Sequence, residues 1–121
     1  MLPAAVFARG SEWLDYREGL VQSLLAEGKT VLLDYFAPWC STCRAQERVM
    51  LDLIEENSDY ARKITFVVID WDTYKRHSVT TSRGIPRRST LVLQRGNQEL
   101  GRVVAQTKRR TIKALLDKGL S

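Results

Sequence analysis

Two cysteines separated by two residues, Cys40 and Cys43, are the side chains of this sequence with the clearest chemistry. A strongly apolar run precedes them and a stretch with helical spacing follows, so we expect Cys40 at the N-terminal end of a helix. Unsatisfied backbone N–H groups and the helix dipole favour a thiolate at that position. Cys43 would lie one turn further along, near enough to attack a disulfide formed on Cys40. The spacing predicts a redox pair with Cys40 as nucleophile and Cys43 as resolving thiol.

Other uses of a cysteine pair fit this sequence less well. A structural zinc site needs four ligands, and the chain holds only these two cysteines and one histidine, His77, which we interpret as an exposed helix residue. A purely structural disulfide would not need a strand before it and a helix after it. A non-catalytic module stays as the alternative, in which two chains supply four thiolates to a zinc ion or an iron–sulfur cluster. The enzyme itself is expected to need no cofactor beyond the redox-active disulfide of Cys40 and Cys43.

The elements that must position the cysteines follow from the pattern of apolar residues. Runs of apolar and β-branched residues predict strands, and the last two flank Gly96-Asn97, which suits a tight hairpin turn. Helical spacing between capping residues predicts the helices. The predicted strands are residues 30–36, 64–69, 90–94 and 100–105, and the predicted helices lie between residues 11 and 28, from 41 to 57, from 73 and between 107 and 119. This order predicts an α/β fold with a mixed central sheet and helices on both faces.

The chain of 121 residues is long enough for one domain with its own core. We predict a single domain from residue 11 to 121, preceded by a tail of residues 1–10. The tail reads like the end of an export signal, with Val6 and Ala8 at the small-residue cleavage positions, and a frayed apolar terminus is the alternative. Export would place the cysteines in the periplasm or another oxidising compartment, where a partner must keep them reduced. The alternative location is the cytoplasm.

The charge balance indicates which partners to expect. Lysine and arginine number 19 against 14 acidic residues, and the net charge of +5 favours acidic partners. A nucleic-acid partner is not expected, because the basic residues are not interleaved with aromatic ones and no reader motif is present. No apolar run approaches the roughly 20 residues that a membrane-spanning helix needs. We therefore expect no membrane span in this chain.

The segment Asp34 to Arg44, with the sequence DYFAPWCSTCR, resembles the active-site segment of the thioredoxin family. The order of elements resembles that fold over almost the whole chain. The resemblance implies a thioredoxin fold and a protein disulfide oxidoreductase, with disulfide-containing client proteins and an upstream thiol reductant as partners. It also implies that Pro38 and Trp39 flank the nucleophile on the client-binding surface and that Asp34 is the buried acid beneath the cysteines. The Cys-Ser-Thr-Cys sequence and the export-like tail resemble periplasmic thioredoxin-like reductases.

The role of Asp34 also has a physical basis. Its carboxyl group lies in an apolar strand between Leu33 and Tyr35, so desolvation should keep it protonated to higher pH. It could then exchange a proton with Cys43 during resolution. The direction of the reaction stays open, because reductases, oxidases and isomerases share this architecture and differ in the redox poise of the dithiol.

The loop before the strand at residue 90 departs from the family's pattern. Ser89 stands where a cis-proline usually faces the cysteines, and the alternative register would use Pro86 with three extra residues before Thr90. We prefer Ser89 because it needs no insertion, and we predict that Arg88, Ser89 and Thr90 bind the client. The guanidinium groups of Arg87 and Arg88 would stabilise the Cys40 thiolate and attract clients that are acidic near their disulfide. A proline at position 89 is expected to leave the fold intact.

A second departure concerns the helix and the acid. Arg48 stands where the family's active-site helix usually has a proline, so no kink is required there. The lysine that often accompanies the buried acid is absent from residues 64–69.

Overall fold

The strand that precedes the cysteines, β2 (Thr30–Phe36), lies in the middle of the sheet in the computed structural model, which describes residues 13–121. All seven of its residues are buried. It pairs in parallel with β3 (Ile64–Asp70) and antiparallel with β4 (Thr90–Arg95). β1 (Leu14–Asp15) and β5 (Gln98–Val104) form the edges, so the strand order is β1-β3-β2-β4-β5. The predicted mixed sheet is confirmed.

Helices cover both faces of this sheet. Because side chains alternate along a strand, Leu32 and Leu33 of β2 point to opposite faces and belong to two separate apolar clusters. The helices are α1 (Leu20–Ala26), α2 (Ser41–Glu56), α3 (Asp59–Lys63), α4 (Trp71–Tyr74), α5 (Ser78–Thr81) and α6 (Arg109–Asp117). The cluster of Leu32 includes residues of α2 and α6, and the cluster of Leu33 includes residues of α1 and α5. Within residues 13–121, no helix combines the length and apolar character needed to cross a bilayer.

The first described segment differs from the predicted helix. Helix α1 begins after Gly19, whose φ of 84° breaks any helix extending from the N-terminal side. Before it, β1 pairs with β3, and Trp13 stacks on Phe66 with 4.7 Å between ring centroids. Edge-strand pairing and the burial of Trp13 therefore override the local helical spacing. Ser11, the predicted cap, lies outside the described residues.

Candidate active site

Cys40 occupies the N-cap position of α2 in an extended conformation. In the turn that precedes the helix, the Cys40 N–H donates a hydrogen bond to the carbonyl oxygen of Ala37 at 3.1 Å. Its Sγ accepts a hydrogen bond from the backbone N–H of Cys43 at 3.2 Å, which satisfies one of the free donors at the start of the helix. Both cysteines are free thiols, with Cys40 3% and Cys43 0% exposed. The sulfur of Cys40 therefore occupies an electropositive, nearly dry position.

Ser89 contacts both sulfurs. Its Oγ lies 3.1 Å from Cys40 Sγ and 3.1 Å from Cys43 Sγ, and the residue is fully buried. The Ser89 N–H donates to the carbonyl oxygen of Tyr35 at 2.9 Å, and its φ of 65° is in the left-handed region. Pro86, the residue of the alternative register, is exposed. The loop thus presents a hydroxyl group to the cysteine pair.

The two thiols have pKa values on opposite sides of the ordinary 9.0. Burial raises the pKa of Cys40, but hydrogen bonds from Cys43, Ser89 and Arg88 outweigh burial and lower it to about 7. Burial and the hydrogen bond with Cys40 raise the pKa of Cys43 to about 11. At neutral pH a substantial fraction of Cys40 is therefore thiolate while Cys43 keeps its proton.

Trp39 forms the exposed surface beside the nucleophile. Its side chain is 56% exposed, and its Nε1–H donates to Oδ2 of Asp72 at 2.7 Å. The guanidinium carbon of Arg88 lies 4.4 Å from the centre of the Trp39 ring, a cation–π distance. Arg44 donates from Nη1 to the carbonyl oxygen of Pro38 at 2.7 Å. The exposed Trp39 ring, held by Asp72 and Arg88, therefore forms the surface next to Cys40.

The comparisons with known proteins agree with this geometry. The thioredoxin family model matches residues 15–118. The chain belongs to the thioredoxin family. It is 30% identical to Thioredoxin 1 of Synechococcus elongatus over 99 residues. The matched region covers 82% of this chain and 88% of that protein. The crystal structure of Trxlp from Edwardsiella tarda is similar with a TM-score of 0.73 and 26% identity, over 86% of this chain and 97% of that one. A mutant thioredoxin from Halobacterium salinarum has a TM-score of 0.71 at 22% identity, over 91% and 92% of the two chains.

Membership of the thioredoxin family makes this protein a thiol-disulfide oxidoreductase, as the cysteine spacing predicts. Thioredoxins exchange electrons between a thiol reductant and disulfide-containing client proteins through their own cysteines, without a bound cofactor. Among residues 13–121, no group of three or more His, Cys, Asp and Glu side chains is placed to hold a metal ion. The family match favours the oxidoreductase over the non-catalytic metal-bridged module.

Two further predicted site residues of this thioredoxin-family protein lie inside it. Asp34 is fully buried, and strand alternation puts it on the same side of β2 as Phe36, which packs in the cluster that contains both cysteines. Thr90 is also fully buried, and its hydroxyl donates to the carbonyl oxygen of Arg87 at 2.7 Å. The Thr90 side chain therefore bonds inside the loop, whereas Trp39 is exposed with Arg88 over its ring.

Gln46 is a further residue of the site, not predicted from the sequence. It is fully buried on the inner face of α2, and its Nε2 donates to the carbonyl oxygens of Ser89 and Gln106, both at 3.0 Å. These bonds tie the Ser89 loop and the segment after β5 to the active-site helix. The available signal was its position three residues after Cys43 and four before Met50, on the apolar face, where a polar side chain needs hydrogen-bond partners.

Proposed function

We propose that this thioredoxin-family protein works in the reducing direction, transferring two electrons from its cysteine pair to client disulfides. The observation that carries the proposal is the moderate stabilisation of the Cys40 thiolate, whose pKa is about 7. In strongly oxidising thiol-disulfide oxidoreductases the pKa of the nucleophilic cysteine is near 3.5, because a highly stabilised thiolate favours the reduced form of the enzyme. The groups that stabilise the Cys40 thiolate include Arg88 as well as the neutral Ser89 hydroxyl and Cys43 N–H, while burial opposes them.

The proposed cycle has two exchange steps. The Cys40 thiolate attacks one sulfur of a client disulfide, forming a mixed disulfide and releasing the other client sulfur. Cys43 then loses its proton and attacks Cys40 Sγ, which releases the second client sulfur and leaves a Cys40–Cys43 disulfide. An upstream thiol reductant returns the pair to the dithiol. Asp34, buried on the cysteine side of β2, is one proposed partner for the Cys43 proton, and the Ser89 hydroxyl, which contacts both sulfurs, is the other.

A redox titration of the Cys40–Cys43 couple against glutathione or dithiothreitol buffers tests the direction. We expect a potential close to the roughly −270 mV of strongly reducing dithiols and well below the roughly −180 mV of isomerases. Tryptophan fluorescence or thiol alkylation measures the reduced fraction. The Cys43→Ser variant is the control, because it cannot form the internal disulfide. A potential near −120 mV would contradict the proposal and identify an oxidant.

The proposed clients carry acidic residues close to their reactive disulfide. Support comes from Arg88, which is held over Trp39 and is close enough to Cys40 to contribute to the lowering of its pKa. Arg44, which binds the carbonyl oxygen of Pro38, adds a second cation at the same surface. Positive charge around a reactive sulfur increases the encounter rate with negatively charged peptides.

Replacing Arg88 with glutamine should slow reduction of an acidic peptide disulfide by about three- to tenfold at low salt, since electrostatic steering changes association rates by factors of this order or more. Reduction of a matched basic peptide should slow less. The contrast should shrink as salt rises, because exposed charges are screened over about 10 Å at 0.1 M. Stopped-flow rates with both peptides measure the effect.

Arg62→Gln is the matched control, because this arginine is exposed and pairs with Asp59 in α3. It removes the same charge from a helix that does not carry the cysteines. Equal slowing of the acidic and basic peptides in Arg88→Gln would contradict the proposed client preference. Arg87 is left unchanged in this test, because its Nε donates to the carbonyl oxygen of Arg88 and supports the loop.

Two proposals rest on the sequence pattern alone. The domain boundary after residue 10 and the export-like tail fall within residues 1–12, outside the described residues. Location in the periplasm or another exported compartment therefore stays a prediction, with the cytoplasm as its alternative. Fractionation of cells that express the natural gene would test it.

A further inference from the structure

The Ser89 hydroxyl is placed between the two reacting sulfurs. Its Oγ is 3.1 Å from each of them, and Ser89, Cys40 and Cys43 are all buried. A hydroxyl group has one proton to donate and two lone pairs that accept. It can therefore donate to one sulfur while it accepts from the other, which neither a backbone N–H nor a proline could do.

The protonation order of the thiols sets the direction of these two hydrogen bonds. Cys40 ionises first and, as a thiolate, can only accept, so the Ser89 hydroxyl donates to Cys40 Sγ. Cys43 keeps its proton, and because the Ser89 proton is directed at Cys40, the 3.1 Å contact leaves Ser89 Oγ to accept from the Cys43 S–H group. The result is a continuous chain in which the Cys43 S–H group donates to a hydroxyl that in turn donates to the Cys40 sulfur.

We propose that Ser89 is a catalytic proton relay in the resolution step. This inference rests on the exchange function proposed above. When Cys43 attacks Cys40 Sγ in the mixed disulfide, an S–S bond forms between the two cysteines and the bond from Cys40 to the client sulfur breaks. The Cys43 proton passes to Ser89 Oγ, and the proton of that hydroxyl passes to the departing client sulfur. The cysteine pair is oxidised by two electrons, the client is reduced by two, and one client thiol leaves protonated.

The reach of the relay follows from bond lengths. A client sulfur bonded to Cys40 Sγ lies about 2 Å from it. In-line attack by Cys43 places that sulfur on the far side of Cys40 Sγ, so the Ser89 hydroxyl delivers its proton by rotating about the Cα–Cβ bond. Proton delivery matters most for an aliphatic thiol, because its thiolate is a poor leaving group.

The backbone around Ser89 holds the hydroxyl at this point. The Ser89 N–H bonds to Tyr35, and its carbonyl oxygen accepts from the N–H of Ala105 at 2.8 Å and from Gln46 Nε2 at 3.0 Å. Ser89 is kept in a left-handed conformation that residues with a Cβ atom disfavour, a kind of strain that persists where the surroundings over-determine it. Gln46 is thus a positioning residue for the relay.

The test compares Ser89→Ala and Ser89→Gly with the unaltered protein against two uncharged probes. Bis(2-hydroxyethyl) disulfide releases a basic aliphatic thiol, whereas 4,4′-dithiodipyridine releases a weakly basic thione that needs no proton at sulfur. The attack rate is measured separately in the Cys43→Ser background. Resolution is then measured in single turnovers at probe concentrations where attack no longer limits. Asp34→Asn is the comparator, because it removes a carboxyl group without touching the hydroxyl.

We expect both Ser89 variants to lose about tenfold or more in resolution with the aliphatic probe, since general acid–base transfer contributes roughly 100-fold or more in enzymes. With the dipyridyl probe the loss should be smaller than about threefold. Agreement between the alanine and glycine variants excludes a backbone effect, because glycine adopts the left-handed conformation freely.

Equal losses with the two probes would overturn the relay, since a hydroxyl that only tunes Cys40 does not distinguish the leaving groups. Unchanged resolution in both variants would also overturn it. An unaltered protein that reduces neither probe would instead overturn the exchange function itself. A probe-selective loss in Asp34→Asn with none in the Ser89 variants would assign the proton transfer to the carboxyl group.

Discussion

Replacing Cys40 with serine should lower the rate of disulfide exchange by at least about a thousandfold, because the loss of a catalytic nucleophile removes the covalent step. Replacing Cys43 with serine should leave the first attack intact and accumulate clients as stable mixed disulfides on Cys40. The attack rate of the unaltered protein should rise with pH around a midpoint of about 7, where Cys40 loses its proton. Non-reducing electrophoresis and mass spectrometry of client-exposed protein measure the trapped species.

Ser41→Ala provides the control for both variants, because Ser41 lies between the cysteines and is exposed. It should exchange disulfides at nearly the unaltered rate. If mixed disulfides accumulated on Cys40→Ser and not on Cys43→Ser, the roles of the two cysteines would be reversed. That outcome would also contradict the opposite pKa directions of the two thiols.

Ser89→Pro should destabilise the fold by about 3 kcal/mol or more, which is the scale for a proline that removes a backbone hydrogen bond and clashes with its surroundings. Proline fixes φ near −65°, whereas Ser89 has a φ of 65°. The substitution also removes the N–H that donates to Tyr35 at 2.9 Å. This replaces the expectation, drawn from the sequence, that a proline here leaves the fold intact. Urea unfolding followed by tryptophan fluorescence measures the loss.

Ser89→Gly is the matched control for the proline variant. Glycine keeps the backbone N–H and adopts positive φ without a Cβ penalty, so its free energy of unfolding should stay within about 1 kcal/mol of the unaltered protein. A proline variant as stable as the glycine variant would show that the loop can adopt a second backbone conformation without loss. The hydrogen bond to Tyr35 would then be dispensable.

The sequence predicted the parts of the fold whose signal is local and continuous. The bounds of β2 were predicted correctly, because a seven-residue apolar run between Gly28 and Pro38 is too short for a typical buried helix and favours a strand. Helix α2 was predicted to within one residue, since its apolar positions and the preceding Cys40 mark one face and one end. The short helix α3 was missed: its buried residue Tyr60 packs through tertiary contacts, including a hydrogen bond to Asp117 that is 57 residues away in the sequence.

In the active site, too, local features were predictable from the sequence and long-range contacts were not. The cysteines could be assigned from spacing, because helix geometry relates two residues one turn apart. The contact of Ser89 with both sulfurs joins positions 46 and 49 residues apart in the sequence, so its distance depends on the pairing of β4 with β2. Its positive φ has no signal in the sequence, since serine is not a residue that marks left-handed turns. Gln46 had a signal, but its partners become visible only once the loops are placed.

Position 89 has a consequence for protein engineering. Its backbone conformation suits glycine, so a library selected only for thermal stability tolerates glycine in place of the serine there. The same replacement deletes the hydroxyl that touches both sulfurs. Selection for stability alone therefore does not preserve the group that the exchange chemistry uses. Screens for hardier variants of this scaffold should hold position 89 fixed and draw their gains from exposed surface positions such as those of α3 and α6.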